Sequence, residues 1–151
     1  MAKKISKRLS LLTEEEREKQ LYAEKCFNIG WELKNIGENE SAIWHFEEHL
    51  NNMIIPASPL GLIELYPEMK DYSNEINALN KYLKVANDYN YRLYLQALKE
   101  YPEFGKQLYE ALETNDNLLI NDKQILRQHK VSDYIWLLDD FIKKANSLDS
   151  N

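Results

Sequence analysis

The sequence predicts an all-α protein built from stacked antiparallel helical hairpins, and three observations carry that expectation. Only four Gly and four Pro stand among 151 residues, too few for a many-turned β protein but enough for long helices with short connections. Apolar residues recur at helical spacing through most of the chain. The chain also matches itself when slid by 33 residues, a period that belongs to arrays of helical hairpins.

Length and a hydrophobic share of 44% fit one domain with its own core. No run approaches the roughly eighteen apolar residues of a membrane span. The lone Cys26 has no partner within the chain for a disulfide, which points to a reducing, cytoplasmic setting. A net charge of -6 argues against a nucleic-acid binder, whose affinity rests on neutralising phosphates.

Residues 1–12 read as a basic, partly ordered leader carrying Lys3, Lys4, Lys7 and Arg8. Its short leucine run lacks the apolar core and cleavage site of a signal peptide, and the leucines are expected to pack on the first helix. Residues 13–151 read as a single helical domain. Thr13 followed by Glu14, Glu15 and Glu16 forms a capping box at a helix start. That helix runs through Leu33 and Ile36 to Gly37, placed to end it in a left-handed conformation. A second helix from about Asn39 to Asn52 presents Ala42, Ile43, Phe46 and Leu50, closing a first hairpin over about 23–52.

Ser58 and Pro59 read as cap and first-turn proline of a third helix. The turn Lys70-Asp71-Tyr72 leads to a fourth, giving a second hairpin over about 56–87. Leu93, Leu95 and Leu98, then Pro102 and Phe104, Leu108 and Leu112, predict a degenerate third hairpin over about 89–114. Asp122 and Ser132 are placed to cap C-terminal helices over about 122–146, the last carrying Tyr134, Ile135, Leu138, Phe141 and Ile142.

In the 33-residue register Ile29 falls on Leu62, Gly30 on Ile63, Leu33 on Tyr66 and Ile36 on Met69. Ile43 falls on Ile76, Phe46 on Leu79, His49 on Tyr82 and Leu50 on Leu83. With Gly30, Gly37, Ala42, Ile43, Phe46 and Tyr72 at the expected positions, the stretch from about Ala23 to Val85 resembles the tetratricopeptide repeat (TPR) family. The resemblance implies a right-handed stack of hairpins, capped by the C-terminal helices. The sequence departs from the family pattern at His49 and Glu75, where alanine is preferred, and at Pro59. Pro67, inside the third helix, costs that helix a backbone bond.

The sharpest chemical motif is His45-Phe46-Glu47-Glu48-His49. Histidines four apart on a helix share a side and can ligate one metal, and Glu48 completes the H-x-x-E-H pattern of inverted zinc peptidases. A third ligand would have to come from a distant carboxylate such as Glu75 or Glu100. The alternative is that Phe46 is core, His49 a helix–helix contact and His45 outward, and the repeat register favours it. No metal site, cofactor or catalytic residue is therefore assigned. Cys26 lies on the apolar stripe as a small hydrophobe, and no glycine-rich phosphate loop occurs. Lys130-Val131-Ser132 sits between two expected helices as in a helix-turn-helix, but Asp133, Asp139 and Asp140 on the second helix would repel phosphates.

Ten Tyr and three Trp exceed what a small helical core needs, and such residues favour contact surfaces. The TPR resemblance implies a groove lined by Phe27, Trp31, Lys34 and Asn35 of the first repeat. From the second come Leu60, Glu64, Pro67 and Glu68. Phe27 and Trp31 stand where the carboxylate-gripping members carry Lys and Asn, so that grip is not expected. The expected function is a non-enzymatic protein–protein interaction module, an adapter with an aromatic, mildly acidic groove for an amphipathic or basic-apolar protein segment. Two alternatives are a small metal-dependent enzyme using His45, Glu48 and His49, and an acidic inhibitor or immunity-type protein. The Asn- and Lys-rich composition suits a bacterial or phage source. Neither nucleic acid nor membrane is expected as a partner.

Overall fold

Thr13 starts the first helix as its residue types require. In the computed structural model, which describes residues 9–149, Thr13 Oγ1 accepts from the Glu16 amide at 3.2 Å and Glu16 Oε1 accepts from the Thr13 amide at 3.0 Å. This reciprocal cap opens α1 (Glu14–Asn35), which is followed by α2 (Asn39–Asn52), α3 (Leu60–Glu68) and α4 (Tyr72–Glu100). A 3₁₀ turn at Pro102–Phe104 then runs into α5 (Gly105–Thr114), a hairpin of β1 (Leu118–Ile120) and β2 (Lys123–Leu126), and α6 (Ser132–Asp149). The chain is mostly helical, at 76%.

Three helices end in the same way. After α1, Gly37 has φ +84°, with its amide donating to Lys34 O and the Glu38 amide to Leu33 O. After α3, Lys70 has φ 58°, with its amide donating to Pro67 O and the Asp71 amide to Tyr66 O. Asn115, φ 55°, repeats the pattern after α5 onto Leu112 O and Ala111 O. Each is a Schellman closure in which a left-handed residue lets two late carbonyls find donors. Gly37 and Lys70 lie 33 residues apart, so the first two hairpins turn identically in the register read from the sequence. Burial follows the same register in α2 and the start of α4, where Ala42 and Glu75, Phe46 and Leu79, His49 and Tyr82, and Leu50 and Leu83 are all buried. It does not in α1 and α3, where Ile29, Gly30 and Leu33 differ in burial from Leu62, Ile63 and Tyr66.

Helix α1 packs along α2, α2 on α3 and α3 on α4, while α6 returns to lie against α4. The ring of Phe46 sits where these helices meet. A Cβ on Gly30 would fall 2.8 Å from Phe46 Cδ1, and one on Gly61 would fall 2.5 Å from Phe46 Cε2 and Cζ. Side-chain carbons do not approach so closely, so the two glycines together make the slot that admits the ring. Leu50, Leu62, Leu65, Tyr82, Ala86 and Val131 belong to the same core. A second core gathers Ala97, Leu108, Ala111, Ile125 and Leu126.

Several expectations are corrected. No break separates a second hairpin ending near 87 from a third beginning near 89, because α4 is continuous from Tyr72 to Glu100. Residues Val85 to Asn90 contain no Gly or Pro, so nothing interrupts its backbone bonds. The helix expected after Asp122 is instead an antiparallel hairpin. Asn121 and Asp122 adopt φ 51° and 64°, the paired left-handed conformation of a two-residue hairpin turn. Pro59 rather than Ser58 occupies the N-cap of α3, with no side-chain cap bond. Pro67 lies in the last turn of α3, beside the Lys70 closure, where the missing N–H shortens the helix instead of kinking a long one. The four cations of the leader lie outside the described residues. Leu12 is buried with Ile55 and Tyr89, and Leu11 packs there too, so the leader's last leucines cover the loop after α2 and the middle of α4.

Candidate functional site

Phe27 and Trp31 stand one turn apart on α1, edge to face at 6.2 Å between ring centroids. Both also meet Phe46, at 6.3 and 5.3 Å, and Phe27 lies over His49 at 4.7 Å. They are half-buried flanks of the first core. Lys34 reaches across to α3, with Nζ 2.8 Å from Glu64 Oε2 and 5.4 Å from the Trp31 ring centroid. On α3, Leu60, Glu64 and Glu68 recur every four residues and are all exposed, as is Asn35 on α1. Of the expected groove residues, Lys34 and Glu64 are brought together across α1 and α3, Phe27 and Trp31 flank the core, and Leu60, Glu64 and Glu68 make an exposed row on α3, with Pro67 half-buried.

The H-x-x-E-H motif is dispersed among other contacts. His45 Nδ1 lies 2.7 Å from Ser41 O, and its ring stands edge to face with Trp44 at 4.9 Å. Glu48 accepts from the Tyr22 hydroxyl at 2.9 Å and from Asn52. His49 is buried, and loss of water pushes its pKa down to about 4, so it is neutral at pH 7. Among the described residues no group of three or more His, Cys, Asp or Glu side chains is placed to hold a metal ion. Glu75 is buried in the first turn of α4, with Oε2 lacking a hydrogen-bond partner. Burial pushes its pKa up to about 7; Lys144 opposes the shift and Asp140 adds to it.

A second site has no counterpart in the sequence reading. Between the Leu9–Leu11 turn, α4 and the β2–α6 loop lies an open cavity of about 720 Å³, within the usual range for small-ligand pockets. One face of α4 supplies Tyr89, Leu93, Gln96, Ala97 and Glu100, and Leu11, Ile125 and Leu126 complete the apolar wall. The loop Arg127–Lys130 forms the opposite side. That loop has no regular structure, yet side-chain amides hold its backbone. Asn90, buried in α4, donates to His129 O at 2.9 Å and accepts from the His129 amide at 2.8 Å. Asn117 accepts from the Gln128 amide at 2.8 Å, and Asn115 both accepts from the Val131 amide and donates to His129 O. The Gln128 side chain, itself buried, donates to Ala111 O and Asp116 O.

Such clamps satisfy the backbone of an irregular segment that has no ladder of its own. The side chains it carries are therefore presented at set positions by a rigid scaffold. The His129 ring stands edge-on to Tyr89 at 5.6 Å. No family model, curated protein or solved structure matches the chain. The chemistry of this site therefore stands on geometry alone. The only hints in the sequence were the turn composition of Thr114 to Asn117 and the basic run from Arg127 to Lys130, because the clamping Asn90 is distant along the chain.

Proposed function

We propose that the chain is a non-enzymatic protein-interaction module, a TPR-like stack of hairpins that takes a basic, apolar amphipathic segment of a partner protein along its α1–α3 face. The observation that carries this reading is the exposed row Leu60, Glu64 and Glu68 beside the half-buried Phe27 and Trp31, bridged by the Lys34–Glu64 pair. An apolar anchor flanked by carboxylates suits alternating leucines and lysines on one face of a helix. The 33-residue recurrence of the turn, and of burial in α2 and the start of α4, supports the hairpin stack, and the buried, unpaired Cys26 supports a reducing, cytoplasmic setting.

Fluorescence anisotropy with a labelled Lys/Leu amphipathic peptide tests the reading. Saturable binding is expected, with the Glu64→Gln/Glu68→Gln double variant weakening it about tenfold at low salt. Trp31→Ala should reduce affinity, and because the ring also packs on Phe46 its thermal melt is read alongside to separate lost contact from lost stability. Equal binding of a matched Glu/Leu peptide, or unchanged affinity in the double variant, would refute the α1–α3 face.

A further inference from the structure

We propose that the cavity between the Leu9–Leu11 turn, α4 and the β2–α6 loop is a binding site for a small organic acid, a monocarboxylate with an apolar body. This site is separate from the α1–α3 face and does not depend on the function proposed for it.

The wall of Leu11, Leu93, Ala97, Ile125 and Leu126 can take an aliphatic or aromatic body out of water, which favours binding in proportion to the apolar area covered. Two polar atoms of lining residues are left without partners inside the protein. Tyr89 is 1% exposed and its hydroxyl has no hydrogen-bond partner. Gln128 is also buried, and its Oε1 is unpartnered although its Nε2 donates twice. Buried polar groups are almost always satisfied, so the unpaired hydroxyl of this lining residue has donor capacity to spare. It lies just beneath the cavity surface, and a small shift of the ring would let it donate to a carboxylate oxygen of the ligand.

Charge selects the same chemistry. Arg127 and Lys130 line the cavity as exposed cations, with Glu100 as the one lining carboxylate. Lys130 is engaged with Asn115 O and Asp116, whereas Arg127 has no hydrogen bond or ion pair among the described residues. A guanidinium fork matches a carboxylate in two parallel hydrogen bonds. Among the described lining residues two cations, Arg127 and Lys130, stand with one carboxylate, Glu100, a small positive excess that suits a monoanion. The amide clamps from Asn90, Asn115 and Asn117 hold Arg127–Lys130 in place before any ligand arrives, which lowers the ordering cost of binding.

Isothermal titration calorimetry on the full chain tests the site with octanoate, octanamide, acetate and inorganic phosphate. Octanoate should bind saturably, with octanamide, acetate and phosphate each at least about tenfold weaker, the penalty for losing a charge-assisted bond or the apolar body. Arg127→Ala, at an exposed position, should weaken octanoate about tenfold. Tyr89→Phe should weaken it about threefold to tenfold while leaving thermal stability in place, because the hydroxyl has no partner to lose. Octanamide or phosphate binding as tightly as octanoate would overturn the proposal. So would unchanged octanoate affinity in Arg127→Ala, or no saturable heat for octanoate at millimolar concentration.

Discussion

Glu75 and His49 are both buried among the helices, and their titrations act on stability in opposite directions. The folded state raises the Glu75 pKa from 4.5 to about 7, so it binds a proton there that the unfolded chain has released. That contribution is complete below pH 4.5 and is lost as pH rises through 7. His49 is lowered from 6.5 to about 4; its contribution is complete above pH 6.5 and is lost as pH falls through 4. Between these limits the two slopes offset each other, and the native protein should show a nearly flat stability profile from pH 5 to 6.5. Single variants unmask each slope. Glu75→Gln should lose on the order of 2 kcal/mol between pH 7 and pH 4.5, and His49→Gln should lose a similar amount from pH 5 to pH 8. Urea denaturation across that pH range reads both; parallel curves for the native chain and both variants would contradict the assignment. At more acid pH, Glu16, held down to about 2 mainly by its hydrogen bonds with Arg92, loses its own contribution as pH falls from 4.5. A steric prediction belongs at the same scale. Gly61→Ala sets a methyl against Phe46 and should cost about 2 kcal/mol by overpacking. Combining it with Phe46→Leu should recover part of that loss, giving a coupling energy that denaturation of the single and double variants measures.

At the scale of elements, local chemistry decided what was legible in the sequence. The Thr13 cap, the Gly37 closure and the Pro102 helix start each rest on one residue whose backbone preference has a single favoured use. The continuity of α4 was hidden because repeat length placed a boundary near Val85, while the helix depends only on the lack of a breaker there. The β-hairpin was hidden because Asp122 suits an N-cap as well as a left-handed turn, and the short strands Leu118–Ile120 and Lys123–Leu126 have no long alternation to declare them. Of the candidate sites, the α1 and α3 residues were named through the TPR resemblance, and spacing adds only that residues four apart on one helix share a side. The cavity was not, because its loop is held by an asparagine nearly forty positions away. The turn after α3 offers an element-scale test. Lys70 occupies the left-handed position that Gly37 holds in the preceding hairpin, and a side chain there costs up to about 1 kcal/mol. Lys70→Gly should therefore stabilise the protein by about 0.5 kcal/mol, seen as a small rise in Tm; a fall would show that the lysine side chain contributes more than its backbone costs.

For the molecule as a whole, α4 is the common member of both cores. Its first half packs in the core of Phe46 and Leu62, and its last turns pack with Leu108 and Leu126. Helix α6 folds back to the first core, where Tyr134 lies 4.5 Å from Tyr82 and donates to Ser58 Oγ at 2.9 Å. The route from one core to the other runs through Asn90, whose amide holds the His129 backbone from both sides. Asn90→Ala would take one partner from each of the part-buried His129 N–H and C=O, the carbonyl keeping Asn115, and should cost about 1–3 kcal/mol. Amide hydrogen exchange in the variant should rise first at Gln128 to Val131, with the hairpins of α1 to α3 keeping their protection. Uniform loss of protection would instead mean that the two cores unfold as one.

The glycine slot around Phe46 has a consequence in time as well as in space. An aromatic ring turns about its axis only when its surroundings briefly make room, and here that room lies between backbones on two different helices. The glycines at its two edges offer no side chain to swing aside, although Phe27 and Trp31 also pack on it. A half-turn of this one ring is therefore expected to need α1 and α3 to draw apart. Its flip rate, read from the NMR line shapes of the ring protons, would report how often they do.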